Sequence, residues 1–328
     1  MHAHLTLTHI QDAAKRIAPH AIKTPLLENE VLNERTNARI LIKPECLQKT
    51  GSFKFRGAFN KVSQLSEAQL KLGVVACSSG NHAQGLARAA QIASCPATIV
   101  MPKDAPHIKI DNTKRYGAEV VLYDRYTESR EEIAEGIAAD TGALFVPPYD
   151  DFDIMAGQGT VGLEIAEACV ARDDTIDTVD TVLVAASGGG LAAGVSTAIK
   201  SLLPAAQTMT VEPHSYDDHA RSFAQGSRAT NVDPKPSICD ALLAPEPGER
   251  TFTINRETIR RGLVVTDEEV KDAIRFAFTE LKLVLEPGGA ATLAAVLNNT
   301  EFQNQTVAIV LSGGNIDPKL FTKILGET

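Results

Sequence analysis

The sequence predicts an α/β fold in which open, mostly parallel sheets are flanked by helices. Short apolar runs alternate regularly with helical segments between residues 73 and 148, and the alternation returns in the second half of the chain. Such alternation is typical of parallel sheets that are covered on both faces. The chain has 328 residues, of which 44% are hydrophobic, and this is enough for one large or two moderate domains.

The N-terminal segment is expected to contribute one strand and its neighbouring helices. Apolar residues recur at helical spacing from Ile10 to Ile17, which predicts a helix over 10–22. A short apolar run predicts a strand over 38–43, and a further helix is predicted over 55–65.

Residues 69–146 are expected to form the smaller of two domains. A proline near the start of its second helix and a glycine after the end of that helix support the predicted bounds. Strands are predicted over 74–78, 97–101, 119–123 and 143–146, and helices over 83–93, 106–116 and 129–141.

Residues 147–328 are expected to pack with residues 1–68 as a larger, discontinuous domain. The stretch 231–255 is rich in Pro, Glu and Gly, so it is expected to be the least ordered part. Strands are predicted over 181–186, 209–212 and 307–311, and helices over 157–171, 191–203, 267–282, 288–297 and 317–325.

Composition excludes several classes of protein. The net charge is −9 and the pI is near 5.4, so no basic surface for nucleic acid is expected. No apolar run has the length of a membrane span, and the first residues do not form a basic-then-apolar signal peptide. The five cysteines are scattered without a Cys-x-x-Cys pair. We therefore expect a cytoplasmic protein with reduced thiols.

The most informative stretch is residues 48–58, which follow the predicted strand 38–43. A short Gly-Ser turn and a helix would place Lys54 near a helix start. Positive partial charge and burial there both disfavour an ammonium ion, which lowers the amine pKa and improves it as a nucleophile. Lys49 and Arg56 are expected to add to the positive field. The alternative interpretation is a solvated lysine in a basic patch.

Residues 49–58, Lys-Thr-Gly-Ser-Phe-Lys-Phe-Arg-Gly-Ala, resemble the cofactor-lysine segment of fold-type II pyridoxal-phosphate enzymes. The resemblance is to the branch of serine/threonine dehydratases, serine racemases and 3-hydroxyaspartate dehydratases. It implies that Lys54 holds pyridoxal 5'-phosphate as a Schiff base, with Phe53 beside the cofactor. It also implies the two-domain architecture, an amino-acid substrate and a homodimer.

A second motif, Ser-Ser-Gly-Asn-His-Ala-Gln-Gly, occupies residues 78–85 at a strand-to-helix junction. Such a junction offers backbone N–H groups to an anion, although a plain helix N-cap has the same pattern. In the resembled family this loop holds the substrate carboxylate, which implicates Ser78 and His82, the latter mainly through its backbone. By the same resemblance, Asn81 bonds the phenolic oxygen of the cofactor and Ser79 faces the substrate opposite Lys54.

A glycine run follows the predicted strand 181–186. Its small residues permit a close approach of backbone N–H groups to a phosphate, although a nucleotide loop or a tight turn has similar glycines. The run has neither the Lys-Ser/Thr of a P-loop nor the dinucleotide-binding spacing. Combined with the lysine segment, it is interpreted as the cradle of the cofactor phosphate, made by Ser187, Gly188, Gly189, Gly190 and Leu191.

Ser312, in a Leu-Ser-Gly-Gly-Asn sequence after the last strand, resembles the family's contact to the pyridine nitrogen. A serine hydroxyl does not hold a proton on this nitrogen as a carboxylate does, so the ring is a weaker electron sink. A leaving group on the β-carbon can then carry the electrons away. This arrangement favours β-elimination over transamination.

The acidic loop 212–218 is commonly a solvated helix start. Its spacing also resembles the divalent-cation site of the racemase-like branch. In that interpretation Glu212 and Asp218 supply carboxylates and Tyr216 supplies a backbone carbonyl, a ligand set that suits Mg²⁺, Ca²⁺ or Mn²⁺.

Arg130 has the sequence context of an exposed helix charge. Its position also matches an arginine that reaches the active site in the racemase-like branch. There it would offer a bidentate partner to a second substrate carboxylate, which favours 3-hydroxyaspartate over threonine.

These motifs together predict a pyridoxal-phosphate-dependent dehydratase that eliminates water from 3-hydroxyaspartate, threonine or serine. One alternative is an amino-acid racemase with Ser79 as the second proton donor. Another is a cofactor-binding module without catalysis.

Overall fold

The computed structural model describes residues 4–78, 80–105, 107–171 and 179–327. Its strands form two parallel sheets, one of five strands ordered β1-β9-β6-β7-β8 and one of four ordered β4-β3-β2-β5. The predicted α/β class is confirmed. The strands are β1 Arg39–Pro44, β2 Val74–Cys77, β3 Ala97–Pro102, β4 Glu119–Tyr123, β5 Leu144–Phe145, β6 Thr181–Ala185, β7 Gln207–Pro213, β8 Ile259–Val265 and β9 Thr306–Leu311.

Helices cover the sheets, and several begin after a residue whose side chain accepts a backbone N–H. Thr266 and Glu269, for example, form a reciprocal capping box at the start of one helix. The helices are α1 Leu7–Ile17, α2 Glu30–Thr36, α3 Lys54–Val62, α4 Glu67–Leu72, α5 Asn81–Ile92, α6 His107–Arg115, α7 Arg130–Thr141, α8 Phe152–Ala171, α9 Gly190–Leu202, α10 Asp218–Gln225, α11 Glu249–Thr258, α12 Asp267–Phe276, α13 Pro287–Asn298 and α14 Pro318–Gly326.

Several predicted bounds are wrong. Helix α1 ends at Ile17 rather than at residue 22, and α12 gives way after Phe276 to a π-helical turn, Ala277–Leu281. Helix α11 occupies the end of the stretch that was expected to be least ordered. Strand β8 lies at a sheet edge and carries two arginines. The sequence did not predict this strand, because the two arginines interrupt its apolar run. Charged residues of this kind are common on edge strands.

The core sits on both faces of each sheet. In the five-stranded sheet, α12 and α13 cover one face and α8 and α9 cover the other. In the four-stranded sheet, α3 and α5 pack against one face and α7 against the opposite one. The division into domains 1–68 with 147–328 and 69–146 stays a prediction.

Helix α3 lies between the two sheets. It packs against α5 on one side and α8 on the other. Contact with α8 is very close, because a β-carbon at Gly157 would lie 2.6 Å from the Arg56 carbonyl oxygen. This closeness fixes α3, which begins with Lys54.

In the part of the chain that the structure describes, the helices are too short or too polar to cross a membrane.

We predict that Gly157→Ala destabilises the protein by about 1–3 kcal/mol, because the added methyl group meets backbone that cannot easily move. Thermal unfolding of the variant measures this loss. The matched control is Gly136→Ala in α7, where a β-carbon meets no atom within 4 Å; it should keep or slightly raise the melting temperature. An equal effect of the two substitutions would contradict the close α3–α8 packing.

Candidate active site

Three loops meet at the carboxyl ends of the strands. The Phe53 N–H donates to the Ser312 carbonyl at 3.2 Å, and the Gly314 N–H donates to the Gly51 carbonyl at 2.9 Å. The Asn315 amide donates to the Asn81 side-chain oxygen at 2.7 Å. The structure thus brings the lysine segment, the loop before α5 and the loop after β9 together.

Lys54 is the first residue of α3, and its amine is held in place. Its Nζ donates to the Pro148 carbonyl at 2.7 Å and lies 5.2 Å from the centre of the Phe53 ring. Burial lowers the pKa of Lys54 to about 8. A substantial fraction of the amine is therefore neutral near physiological pH.

The expectation that Arg56 adds to a positive field at Lys54 is wrong. The Arg56 guanidinium is fully buried and donates to both Glu45 and Glu164 at 2.7–2.9 Å. These two carboxylates balance its charge locally. Burial alone is the cause of the lowered Lys54 pKa.

The loop before α5 contributes Ser78, Asn81 and His82 to the same region. The Gly80 N–H donates to the Ser78 hydroxyl at 3.2 Å, and Asn81 opens the helix. Ser79, the predicted residue on the opposite side of the substrate from Lys54, lies outside the described residues. Its role stays a prediction.

His82 has the environment of a structural residue. Its ring Nε2 bonds the Val146 carbonyl at 3.0 Å, and burial lowers its pKa to about 3. The neutral imidazole helps to fix the segment 146–148, which carries the Pro148 carbonyl.

The glycine run forms a tight cradle at the start of α9. Gly189 has a φ of +91°, a conformation that favours glycine. A β-carbon at Gly188 would lie 2.4 Å from the Tyr149 ring, and one at Gly190 would lie 2.9 Å from the Tyr149 carbonyl oxygen. The run therefore packs without side chains, and the first N–H groups of α9 have no acceptor within the helix.

Ser187 and Leu191 flank this cradle. The Ser187 hydroxyl accepts from the Ala244 N–H at 3.2 Å, and its carbonyl bonds the His219 ring at 2.7 Å. Leu191 is buried in the core beneath the sheet. The hydrogen bonds of Ser187 and the packing of Leu191 fix the two ends of the glycine run.

Two residues of the site were not predicted. Tyr149 follows Pro148 and packs on the glycine run, and Glu286 bonds Asn81 at 2.5 Å. Both are brought in by tertiary packing. For Glu286 the only local signal was a glutamate directly before a proline that opens a helix.

The acidic loop does bring two carboxylates together. Glu212 is buried in β7, where its oxygens accept from the His219 and Ala220 N–H groups at 2.8 Å. Burial and the nearby Asp218 carboxylate raise the pKa of Glu212 well above its usual range. Asp218 accepts from Asn231 at 2.7 Å, and burial raises its pKa to about 7.

Glu212 and Asp218 are the two carboxylates of the predicted cation site, which stays a prediction. Within the described residues, Asp218 Oδ2 is buried without a hydrogen-bond partner. No group of three or more His, Cys, Asp or Glu residues is placed to hold a metal in those ranges, so backbone oxygens and water would have to complete the coordination. Tyr216 lies in the intervening turn, its N–H bonded to the Pro213 carbonyl at 3.0 Å.

Arg130 begins α7 and is half exposed. Its Nε donates to Glu131 at 2.7 Å. Burial raises the pKa of the Cys77 thiol, and the Arg130 guanidinium opposes that rise. Arg130 is thus carried by the helix that packs against β2, whose last residue is Cys77.

The residues present fit the cofactor that the lysine segment implies. A half-buried amine of lowered pKa suits a carbonyl partner, and a glycine run whose backbone N–H groups begin a helix suits a phosphate. The Ser312 loop is joined to the lysine segment by hydrogen bonds, and Asn81 is joined to that loop through Asn315, so they border the same space.

The comparisons with known proteins agree. A family model described as pyridoxal-phosphate dependent enzyme matches residues 17–313. The chain is 43% identical to the L-threonine ammonia-lyase of Thermotoga maritima, over 98% of this chain and 79% of that protein. It is also 43% identical to an L-threo-3-hydroxyaspartate ammonia-lyase of a Pseudomonas species, over 95% of this chain and 96% of that protein. The solved structure of maize serine racemase matches with a TM-score of 0.91 at 35% identity, over 97% of this chain and 96% of that one.

These matches confirm the resemblance first seen in the lysine segment. They cover nearly the whole chain, and the two parallel sheets agree with them. The chain belongs to the family of pyridoxal-phosphate-dependent enzymes.

Proposed function

We propose that the protein is a dehydratase that eliminates water from a β-hydroxy-α-amino acid and releases a 2-oxo acid and ammonia. The observation that carries this proposal is the buried Lys54 amine, held at 2.7 Å by Pro148 beside the glycine cradle. Relatives that are 43% identical and named ammonia-lyases support the reaction class.

Each residue would have a distinct task. The cradle, residues 187–191, would hold the phosphate, Asn81 the phenolic oxygen and Ser312 the ring nitrogen, with Phe53 beside the ring. When bound, pyridoxal phosphate supplies the electron sink that acidifies the α-hydrogen. The neutral Lys54 amine takes this proton, since a pKa of about 8 suits a general base near neutral pH.

The remaining steps follow from the substrate's own chemistry. The loop at residues 78–82 binds the α-carboxylate through N–H groups at the start of α5. The α-hydrogen and the β-hydroxyl leave in total as one water, and the enamine that remains tautomerises to an imine. Hydrolysis of the imine gives the 2-oxo acid and ammonia, so one water is released and one consumed.

Racemisation is the second candidate, supported by the likeness to maize serine racemase. It needs a proton donor on the side of the substrate opposite Lys54, for which we propose Ser79. A non-catalytic binding module is less well supported, because such a module has no need of a buried amine at this position.

Arg130 is proposed as the partner of a second substrate carboxylate. Its place at the start of α7, the helix that packs against β2, supports this role. The substrate would then be 3-hydroxyaspartate rather than threonine or serine.

We also propose a homodimer in the cytoplasm. Exposed apolar side chains at Leu47, Phe278 and Val284 would suit a subunit contact, and five free cysteines suit a reducing compartment. Light scattering of the purified protein tests the dimer, and a monomeric mass would contradict it.

We predict that Lys54→Ala abolishes ammonia release from every hydroxy-amino acid and removes the visible absorbance of the bound cofactor. The reason is that both depend on the same amine. Ammonia release by purified, cofactor-loaded protein measures the first effect. Lys103→Ala, which changes an exposed lysine, is the control and should leave both signals intact. Retained turnover in the Lys54 variant would refute the assignment.

We predict that Arg130→Ala raises the KM for 3-hydroxyaspartate by about tenfold to a hundredfold, because a charge-assisted hydrogen bond contributes roughly 1.5–3 kcal/mol. Threonine, which has no second carboxylate, should be turned over as before. The control is Arg125→Ala, an exposed arginine paired with Asp104. An equal loss on both substrates would remove Arg130 from the substrate site.

We predict that Mg²⁺ raises the melting temperature of the wild-type protein but not that of Asp218→Asn, since a bound cation would relieve the repulsion between Glu212 and Asp218. Differential scanning calorimetry with and without Mg²⁺, Ca²⁺ or Mn²⁺ measures this shift. Asp217→Asn, one residue away and paired with Arg221, should keep it. A wild-type protein that no divalent cation stabilises would contradict the cation site.

A further inference from the structure

Glu286 is a buried carboxyl directly behind Asn81. It precedes α13 and is 3% exposed. Its Oε1 accepts a hydrogen bond from Asn81 Nδ2 at 2.5 Å, and its own N–H donates to the Gly313 carbonyl at 3.2 Å. Glu286 therefore bonds two of the loops that border the cofactor space, one through its carboxyl and the other through its backbone N–H.

The other end of the Asn81 amide is also occupied. Asn81 Oδ1 accepts from Asn315 Nδ2 at 2.7 Å, and the same nitrogen donates to the Thr50 carbonyl at 2.7 Å. An ionised carboxylate only accepts, and an amide nitrogen only donates. The chain Glu286–Asn81–Asn315–Thr50 thus permits one orientation of the Asn81 amide. One N–H of Asn81 Nδ2 is left for a further acceptor.

We propose that Glu286 is a positioning residue, whose carboxylate fixes the Asn81 amide so that the remaining N–H faces the phenolic oxygen of the cofactor. This inference rests on the contact proposed above between Asn81 and that oxygen. The reversed amide would present its carbonyl oxygen to an electron-rich oxygen. Glu286 opposes this reversal together with Asn315, whose Nδ2 donates to Asn81 Oδ1.

The charges around Glu286 make the constraint dependent on pH. Burial and Asp240 raise the pKa of Glu286 to about 7, while the bond from Asn81 and the Lys109 ammonium oppose that rise. Lys109, on α6, forms an ion pair with Asp240. The thiols of Cys46 and Cys239 also lie close to Glu286. Burial raises the pKa of each thiol to about 12, so both stay neutral.

The constraint on the Asn81 amide should be present at high pH and weaken as the pH falls. Above pH 7 the carboxylate only accepts, and the Asn81 amide has one orientation. Below pH 7 the protonated carboxyl both donates and accepts, and it no longer selects between the two orientations.

The test is a pH titration of the absorbance of the cofactor-loaded protein. The near-ultraviolet band reports a protonated phenolic oxygen and the visible band a deprotonated one. An N–H that donates to this oxygen favours its deprotonated form. In Glu286→Leu the midpoint should move to higher pH by about one unit, the effect of one hydrogen bond. Glu280→Leu, at an exposed glutamate, is the control and should not move it.

Two further variants separate positioning from general damage. Glu286→Gln keeps the size and an acceptor oxygen, so its shift should be smaller than that of Glu286→Leu. Asn81→Ala should shift the midpoint by itself, and adding either Glu286 change to it should cause no further shift, because the effect passes through Asn81. If Glu286→Leu does not fold, the same comparison is made with Glu286→Gln and with the double variant Glu286→Gln/Asn81→Ala.

Three results would overturn the inference. An unchanged midpoint in a folded Glu286→Leu protein would show that the carboxyl does not act on the cofactor. Additive shifts in the double variant would show that it acts without Asn81. An unchanged midpoint in Asn81→Ala would refute the proposed Asn81 contact itself, whereas a shift in Asn81→Ala with none in Glu286→Leu would refute only the role of Glu286.

Discussion

The buried guanidinium of Arg56 joins the chain segments that place the reactive lysine. It bonds Glu45, which follows β1, and Glu164 in α8, and Glu164 also accepts from Lys43 at 2.5 Å. Two cations and two carboxylates leave the cluster neutral. Removal of one partner would leave a buried charge unpaired, at a cost of about 3–5 kcal/mol. The network therefore fixes α3 relative to the large sheet, and with it the position of Lys54 two residues earlier.

The chemistry of the site depends on this fixed helix. Because α3 is held between α5 and α8, Lys54 is half-buried beside the Pro148 carbonyl, and desolvation of its amine lowers its pKa to about 8. The loop after β9 is tied to the same segment through Phe53 and Gly51. A rigid scaffold of parallel strands thus brings loops that are distant in sequence to one edge, which is where α/β proteins commonly bind ligands.

Local patterns predicted most of the fold and the principal motifs. Lys54, the glycine cradle and the Ser312 loop are marked by short, characteristic sequences at strand ends. Arg56 was misinterpreted, because its partners Glu45 and Glu164 lie 11 and 108 residues away and only the folded chain brings them close. Glu286 and Tyr149 were missed for the same reason. Strand β8 was missed because edge strands tolerate the arginines that it carries.

The most direct test of the account is the pH dependence of cofactor uptake by the cofactor-free protein. Only the neutral amine attacks the cofactor's carbonyl, so the rate should rise about tenfold per pH unit below pH 8 and level off above it. That result would show that burial prepares Lys54 for its reaction. A rate that continues to rise towards the pKa of an ordinary lysine, about 10.4, would show that the fold does not activate the amine.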